Sequence, residues 1–151
     1  MDAQIALGRF TTEIIPFKWR VQSHVNRKNI DLVRMIAYID ARDVAEKLDE
    51  VVGPENWSDE YYELKGRIFC KISIRIDGEF VGKSDVGTAS SGTEKEKSEA
   101  SDAFKRAAVK WGINRAAYRI GIIELNARQY GKNWIPVDAK GRFMNPEEVN
   151  K

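Results

Sequence analysis

Between Arg67 and Ile76 the chain alternates without a break. Ile68, Cys70, Ile72, Ile74 and Ile76 fall on one side, and Arg67, Phe69, Lys71, Ser73 and Arg75 on the other. A period of two is that of a strand with one face turned to a core. Asp77-Gly78 follows, and a type I′ turn needs two residues that tolerate positive φ, so the chain is expected to return as a strand over Glu79 to Asp85. Upstream, Trp57 to Leu64 carries two tyrosines and little helix punctuation, and Lys65-Gly66 separates it from the alternating run. Together these predict a three-stranded antiparallel meander.

The period then lengthens. Ala100, Ala103, Phe104, Ala107, Ala108 and Trp111 form one apolar stripe at helical spacing. Four of the six are alanine, so this helix can lie close against a sheet. Gly112 stops it, and Asn114 is placed to cap a short helix through Tyr118. Before the meander, Val44, Leu48, Val51 and Val52 make a second stripe, with Asp40 as N-terminal cap and Gly53-Pro54 as terminator. Residues 1–30, with Pro16 and the run Phe17-Lys18-Trp19-Arg20, read as an extended arm or short strand. After the helices, Trp134, Pro136 and an Asp138 to Gly141 turn read as a loop and a weak hairpin. The order helix, three strands, helix gives an α+β fold with a β-β-β-α core, one sheet face covered by the long helix.

The length of 151 residues suits one domain, and 42% hydrophobic residues suffice for a core. No apolar run approaches bilayer-spanning length and no signal-peptide start is present, so a cytoplasmic location is expected. Cys70 stands alone, which excludes an internal disulfide and a multi-cysteine zinc site. Charge is more informative along the chain than in sum. Residues 1–64 hold 8 Lys/Arg against 12 Asp/Glu, residues 65–142 hold 16 against 9, and the last nine hold one against two. A basic half beside a mildly acidic half suits a polyanion-binding face.

The candidate chemistry follows that hint. The outward side of the alternating strand reads cation, aromatic, cation, hydroxyl, cation, which suits nucleic acid because Arg and Lys neutralise phosphates while a ring stacks on a base. For one strand alone, an ordinary solvated face is the plainer reading. On the long helix Arg106 and Lys110 share one flank of the apolar stripe and Lys105 takes the other. Asp102 stands four residues before Arg106, so spacing alone favours an intrahelical ion pair there. Gly82-Lys83-Ser84 echoes the end of a phosphate-binding loop, but Asp77 stands where its first glycine belongs and the segment lies in a strand, which argues against an ATPase. His24 is the only histidine and reads as a surface or arm residue. Glu63, Asp49 and Glu50 lack the paired strand-borne acids of a metal-dependent nuclease. Cys70 points inward with the isoleucines and is a core residue first.

Several blocks in order then resemble one superfamily. They are Ala37-Tyr38-Ile39-Asp40-Ala41-Arg42-Asp43-Val44, Gly53-Pro54-Glu55-Asn56-Trp57, Asp77-Gly78 with Asp85-Val86-Gly87, and Ser101-Asp102-Ala103-Phe104-Lys105-Arg106-Ala107 with Trp111-Gly112. The pattern is similar to the Rad52 superfamily of single-strand-annealing proteins, nearer to its phage and bacterial DdrA branch than to the eukaryotic recombination mediator, over roughly residues 35–120. The resemblance implies an annealing core there, an N-terminal arm over 1–34 and a C-terminal extension over 121–151, with subunit contacts as the use of the flanks. It further implies assembly into a ring or helical arc around single-stranded DNA, strand annealing in homologous recombination and repair without ATP, and no enzymatic activity. No cofactor and no metal are implied; a single-strand-binding protein is a further partner, and the setting is the nucleoid of a bacterial or phage-infected cell. No long partner-binding tail is expected.

The resemblance also assigns Lys105 and Arg106 to the basic groove, against the reading from spacing alone. Two positions depart from the family pattern. The basic residue of the first helix stands one place early, at Arg42, with Asp43 in its slot. A later arginine is replaced by Val109, with Lys110 beside it. The expected DNA-binding set is therefore Lys105, Arg106, Lys110, Arg42, Arg67, Phe69, Lys71, Arg75 and Lys83. A competing reading stays open, because helix, three strands, helix with Lys-Arg on the last helix is also the order of a double-stranded-RNA-binding domain. A metal-dependent nuclease is a further alternative.

Overall fold

The computed structural model describes residues 2–88 and 95–146; for residues 95, 117 and 118 it describes the backbone only. The chain divides into two compact units, Met1–Ile15 with Asp40–Arg115, and Pro16–Ile39 with Ala116–Lys151.

The first unit holds the expected meander. Strands β3 (Trp57–Leu64), β4 (Arg67–Ile76) and β5 (Glu79–Val86) form an antiparallel sheet in the order β3-β4-β5. Lys65-Gly66 and Asp77-Gly78 make the two tight turns, and Asp77 and Gly78 take φ values of 51° and 84° as a type I′ turn requires. Cys70, Ile72 and Ile74 are fully buried, so the period of two has put them where it predicts. Helix α3 (Lys95–Lys110) packs on this sheet through Ala103, Phe104, Ala107 and Ala108, and α2 (Ala41–Val52), with Val44, Leu48 and Val51 buried, packs chiefly against α3. The alanines leave room for the α3 backbone, and the Trp111 indole Nε1 donates to the Ile72 carbonyl at 2.9 Å, pinning the end of α3 to the middle strand. Each large apolar side chain buried here contributes about 1.5–3 kcal/mol.

Residues 3–12 form a helix that the sequence reading took for part of an arm. In α1 (Ala3–Thr12) the Asp2 carboxylate accepts from the Gln4 and Ile5 amides, and Ala6 and Phe10 are buried. The expected cap role of Asn114 is corrected. Its backbone is left-handed, φ 52°, and its side chain bonds instead to Ile15: the amide oxygen accepts from the Ile15 N–H and the amide nitrogen donates to the Ile15 carbonyl, both at 2.8 Å. Asp40 stands at the N-terminus of α2 as expected, but there its backbone carbonyl does the work, accepting from Asp43 and Val44. The short helix α4 (Arg115–Ile120) follows Asn114 and carries the chain into the second unit.

The second unit is a four-stranded antiparallel sheet that the sequence reading did not foresee. Its order is β1 (Lys18–Arg27), β2 (Ile30–Tyr38), β6 (Ile122–Tyr130) and β7 (Asn133–Pro136). Trp19, Val33, Met35 and Ala127 form its core, with Val21, Ile123, Leu125 and Trp134 packed around them. A register shift between Val21 and Ser23 brings His24 opposite Val33. An extra residue in a strand flips every later side chain to the other face, so the shift puts His24 on the apolar side. There His24 stacks on Trp134 of β7, ring centroids 3.8 Å apart and planes 2° from parallel. β1 and β7 are the outer strands of this sheet, so the two rings meet across its apolar face.

Candidate nucleic-acid interface

All nine expected DNA-binding residues lie in the first unit, and the sheet sorts them onto opposite faces. Lys83 pairs with Ile72 in register and so shares the helix-covered face, at the open edge of β5. Its ammonium stands 4.7 Å from the centre of the Trp111 ring and 3.4 Å from the Lys110 carbonyl, to which it donates. The Lys110 ammonium reaches back and donates to the Ser84 carbonyl. The Arg106 guanidinium lies 3.8 Å from Asp85, one step along the same strand. Lys83, Arg106 and Lys110 therefore form a cationic lane along the seam of β5 and α3, with Asp85 as the carboxylate beside Arg106.

The ion pair expected between Asp102 and Arg106 is not formed. Asp102 accepts from the Thr88 amide at 2.7 Å, and Arg106 turns to Asp85. Lys105 is half-buried and leaves α3 about 100° round from Arg106, so the two straddle the outward side of the helix. Arg115 joins the lane although the sequence reading passed over it. It donates to the Val109 and Lys110 carbonyls at 2.9 and 3.0 Å, closing the C-terminal end of α3 with a cation. The signal was present: a cation just past a helix-ending glycine is placed to meet the last carbonyls.

The outward face of β4 is more committed. Phe69 stacks on Tyr62 with centroids 5.3 Å apart, Lys71 pairs with Glu60 at 2.9 Å, and Arg75 lies 5.0 Å over Phe80. Arg67 is spent on a latch, donating to Glu99 at 2.9 Å and to the Gly87 carbonyl. Glu99 also accepts from the Ile68 amide, so this buried carboxylate ties the first turns of α3 to the start of β4. Arg42 is exposed on α2. Gly82-Lys83-Ser84 lies inside β5 as expected, a strand and not a phosphate-cradling loop.

The remaining candidate chemistry is quiet. Cys70 is buried, and burial, with the charge of Asp59 adding to it, pushes its thiol up to about 12, far from a nucleophilic thiolate. Among the described residues, no three His, Cys, Asp or Glu side chains gather as a metal site would require. No described helix is long and apolar enough to cross a membrane.

Over most of its length the chain matches one known group of proteins by sequence. The model of the Rad52/22 family of double-strand break repair proteins matches residues 10–122. The chain belongs to the Rad52/22 family. Two relatives named single-stranded DNA-binding protein DdrA are similar to it. That of Deinococcus deserti is 35% identical over 117 residues, 76% of this chain and 53% of its own. That of Deinococcus radiodurans is 38% identical over 85 residues, 56% of this chain and 40% of its own. The chain thus spans about half the length of these two relatives, and the family match reaches into both structural units.

Proposed function

We propose that the protein binds single-stranded DNA by its phosphates along the β5–α3 seam and anneals complementary strands, without ATP and without enzymatic chemistry. The observation that carries this reading is the lane of Lys83, Arg106 and Lys110, extended by Lys105 on the outward side of α3. Membership of the Rad52/22 family and the names of the DdrA relatives support the same ligand. Phosphate contacts hold a strand without reading its bases, which leaves the bases free to pair. Pairing itself releases about 1.4 kcal/mol per stacked step, so annealing needs no nucleotide hydrolysis.

Each protomer offers only a few phosphate contacts, so useful affinity requires many protomers in a row. We place the chain in a homo-oligomeric ring or helical arc, with residues 35–120 as the annealing core and the flanks 1–34 and 121–151 supplying subunit contacts. The open edge strands β3 and β5 also need cover, as an assembly would provide. Phe69, Lys71 and Arg75, with Arg67 and Arg42 outlying, form a secondary surface in this scheme. The setting is the nucleoid, where a single-strand-binding protein is the partner that first coats the strand.

Light scattering with and without single-stranded DNA, followed by annealing of two complementary oligonucleotides in EDTA without ATP, tests the proposal. A large oligomer that binds the strand and speeds annealing is expected. A monomer that prefers duplex RNA would instead support the double-stranded-RNA-binding reading, and metal-dependent cleavage would support a nuclease.

A further inference from the structure

We propose that the second unit carries its own binding site, for a single nucleotide, in the cleft beside the His24–Trp134 stack. The cleft has a volume of about 640 Å³ and is lined by Trp19, His24, Tyr38 and Trp134 together with Arg20 and Lys132. Four aromatic rings and two cations in one concavity suit a ligand with a flat face and an anionic group. A nucleoside monophosphate has both, the base stacking on a ring and the phosphate meeting the cations.

Two further observations favour this occupant over an apolar one. The second unit holds eleven Lys and Arg against five Asp and Glu, a formal +6, whereas the first holds fourteen against eighteen, a formal −4. The basic excess of the chain therefore lies in the unit that carries this cleft. The described carboxylates of the unit are all engaged, Glu124 with Arg27, Asp138 with Arg142, and Asp31 with His24 and Asn26. Arg20 and Lys132 are exposed and have no carboxylate partner among the described residues; Arg20 lies 5.4 Å over the Tyr38 ring, already held at the cleft wall.

The site is separate from the strand-binding seam and stands or falls by itself. The test titrates the full chain with deoxyadenosine monophosphate while following the four tryptophan indole N–H signals by NMR. Trp19 and Trp134 report on the cleft; Trp57 and Trp111 report on the first unit. Saturable shifts at Trp19 and Trp134 are expected, with about tenfold weaker binding in Arg20→Ala and Lys132→Ala, both at exposed positions where the fold is retained. Equal shifts from inorganic phosphate would reduce the site to an anion contact and overturn the nucleotide assignment. Shifts confined to Trp57 and Trp111, or unchanged affinity in both variants, would remove it. Loss of strand binding in a variant of the seam, with the Trp19 and Trp134 shifts intact, would leave it standing.

Discussion

Replacing Gly87 with alanine is expected to destabilise the protein far more than its position at the end of a strand suggests. A Cβ at Gly87 would lie 2.1 Å from the Glu99 backbone oxygen, 2.8 Å from its Cγ and 3.0 Å from its carbonyl carbon. The first turns of α3 would have to retreat by about 0.9 Å merely to bring that oxygen to 3.0 Å. Glu99 is not free to go, because it accepts from Arg67 at 2.9 Å and from the Ile68 amide at 3.3 Å. Overpacking of this kind costs about 1–3 kcal/mol. Loosening the Arg67 latch adds about 1 kcal/mol, discounted because the arginine is partly exposed. A total of about 2–4 kcal/mol lowers the melting temperature by roughly 5–15 °C in a chain of this size. Thermal unfolding followed by circular dichroism measures it, and hydrogen exchange on α3 locates the damage. Gly8→Ala is the control: it lies in α1 with nothing within 4 Å of the new Cβ, and should stabilise by up to about 1 kcal/mol. A Gly87→Ala protein melting within a degree of the parent would refute the close approach of α3 to β5.

Asn114→Ala should cost about 2–4 kcal/mol, since it strands both the N–H and the carbonyl of buried Ile15, and should speed amide exchange at Ile15. Gly78→Val should lower stability by about 1–2 kcal/mol in urea unfolding, because φ 84° resists a β-branched side chain. Arg9 first, and then Lys47, hold the Glu13 carboxyl down at about 2. A depressed folded-state pKa gives stability that is complete above the unfolded value near 4.5 and is lost as pH falls toward 2. The tie of α1 to α2 through Arg9, Glu13, Lys47 and Glu50 should therefore loosen across that window. Glu13→Gln should show a smaller loss between pH 4.5 and 2 in acid titrations of melting temperature.

The first unit was legible because its patterns are pure. Ile68 to Ile76 alternates without exception, Asp77-Gly78 names its turn, and the α3 stripe keeps helical spacing for twelve residues. The second unit was missed for two different reasons. In β1 the register shift at Gln22 breaks the period, so Trp19 and Val21 no longer agree with His24. In β2 apolar residues fall on both faces, Val33 and Met35 on one and Leu32 and Ile36 on the other, which hides a period of two. β6 was readable, since Ile123, Leu125 and Ala127 alternate with Glu124, Asn126 and Arg128, but its partner β2 lies almost ninety residues earlier. Long-range pairing of that kind leaves no local mark. The basic seam was half legible: helical spacing put Arg106 and Lys110 on one flank, while the choice of Asp85 over Asp102 as the neighbour of Arg106 depends on β5 lying alongside α3.

The most direct test of strand binding at the seam is the salt dependence of affinity for a poly-dT oligonucleotide in the parent and in Lys105→Ala/Arg106→Ala. Each phosphate contact to a single strand contributes about 0.7 to the slope of log K against log salt, so losing two should flatten it by about 1.4 per protomer and weaken binding strongly, with the melting temperature little changed. A folded double variant with the same affinity and the same slope would contradict the account and move the strand to another face.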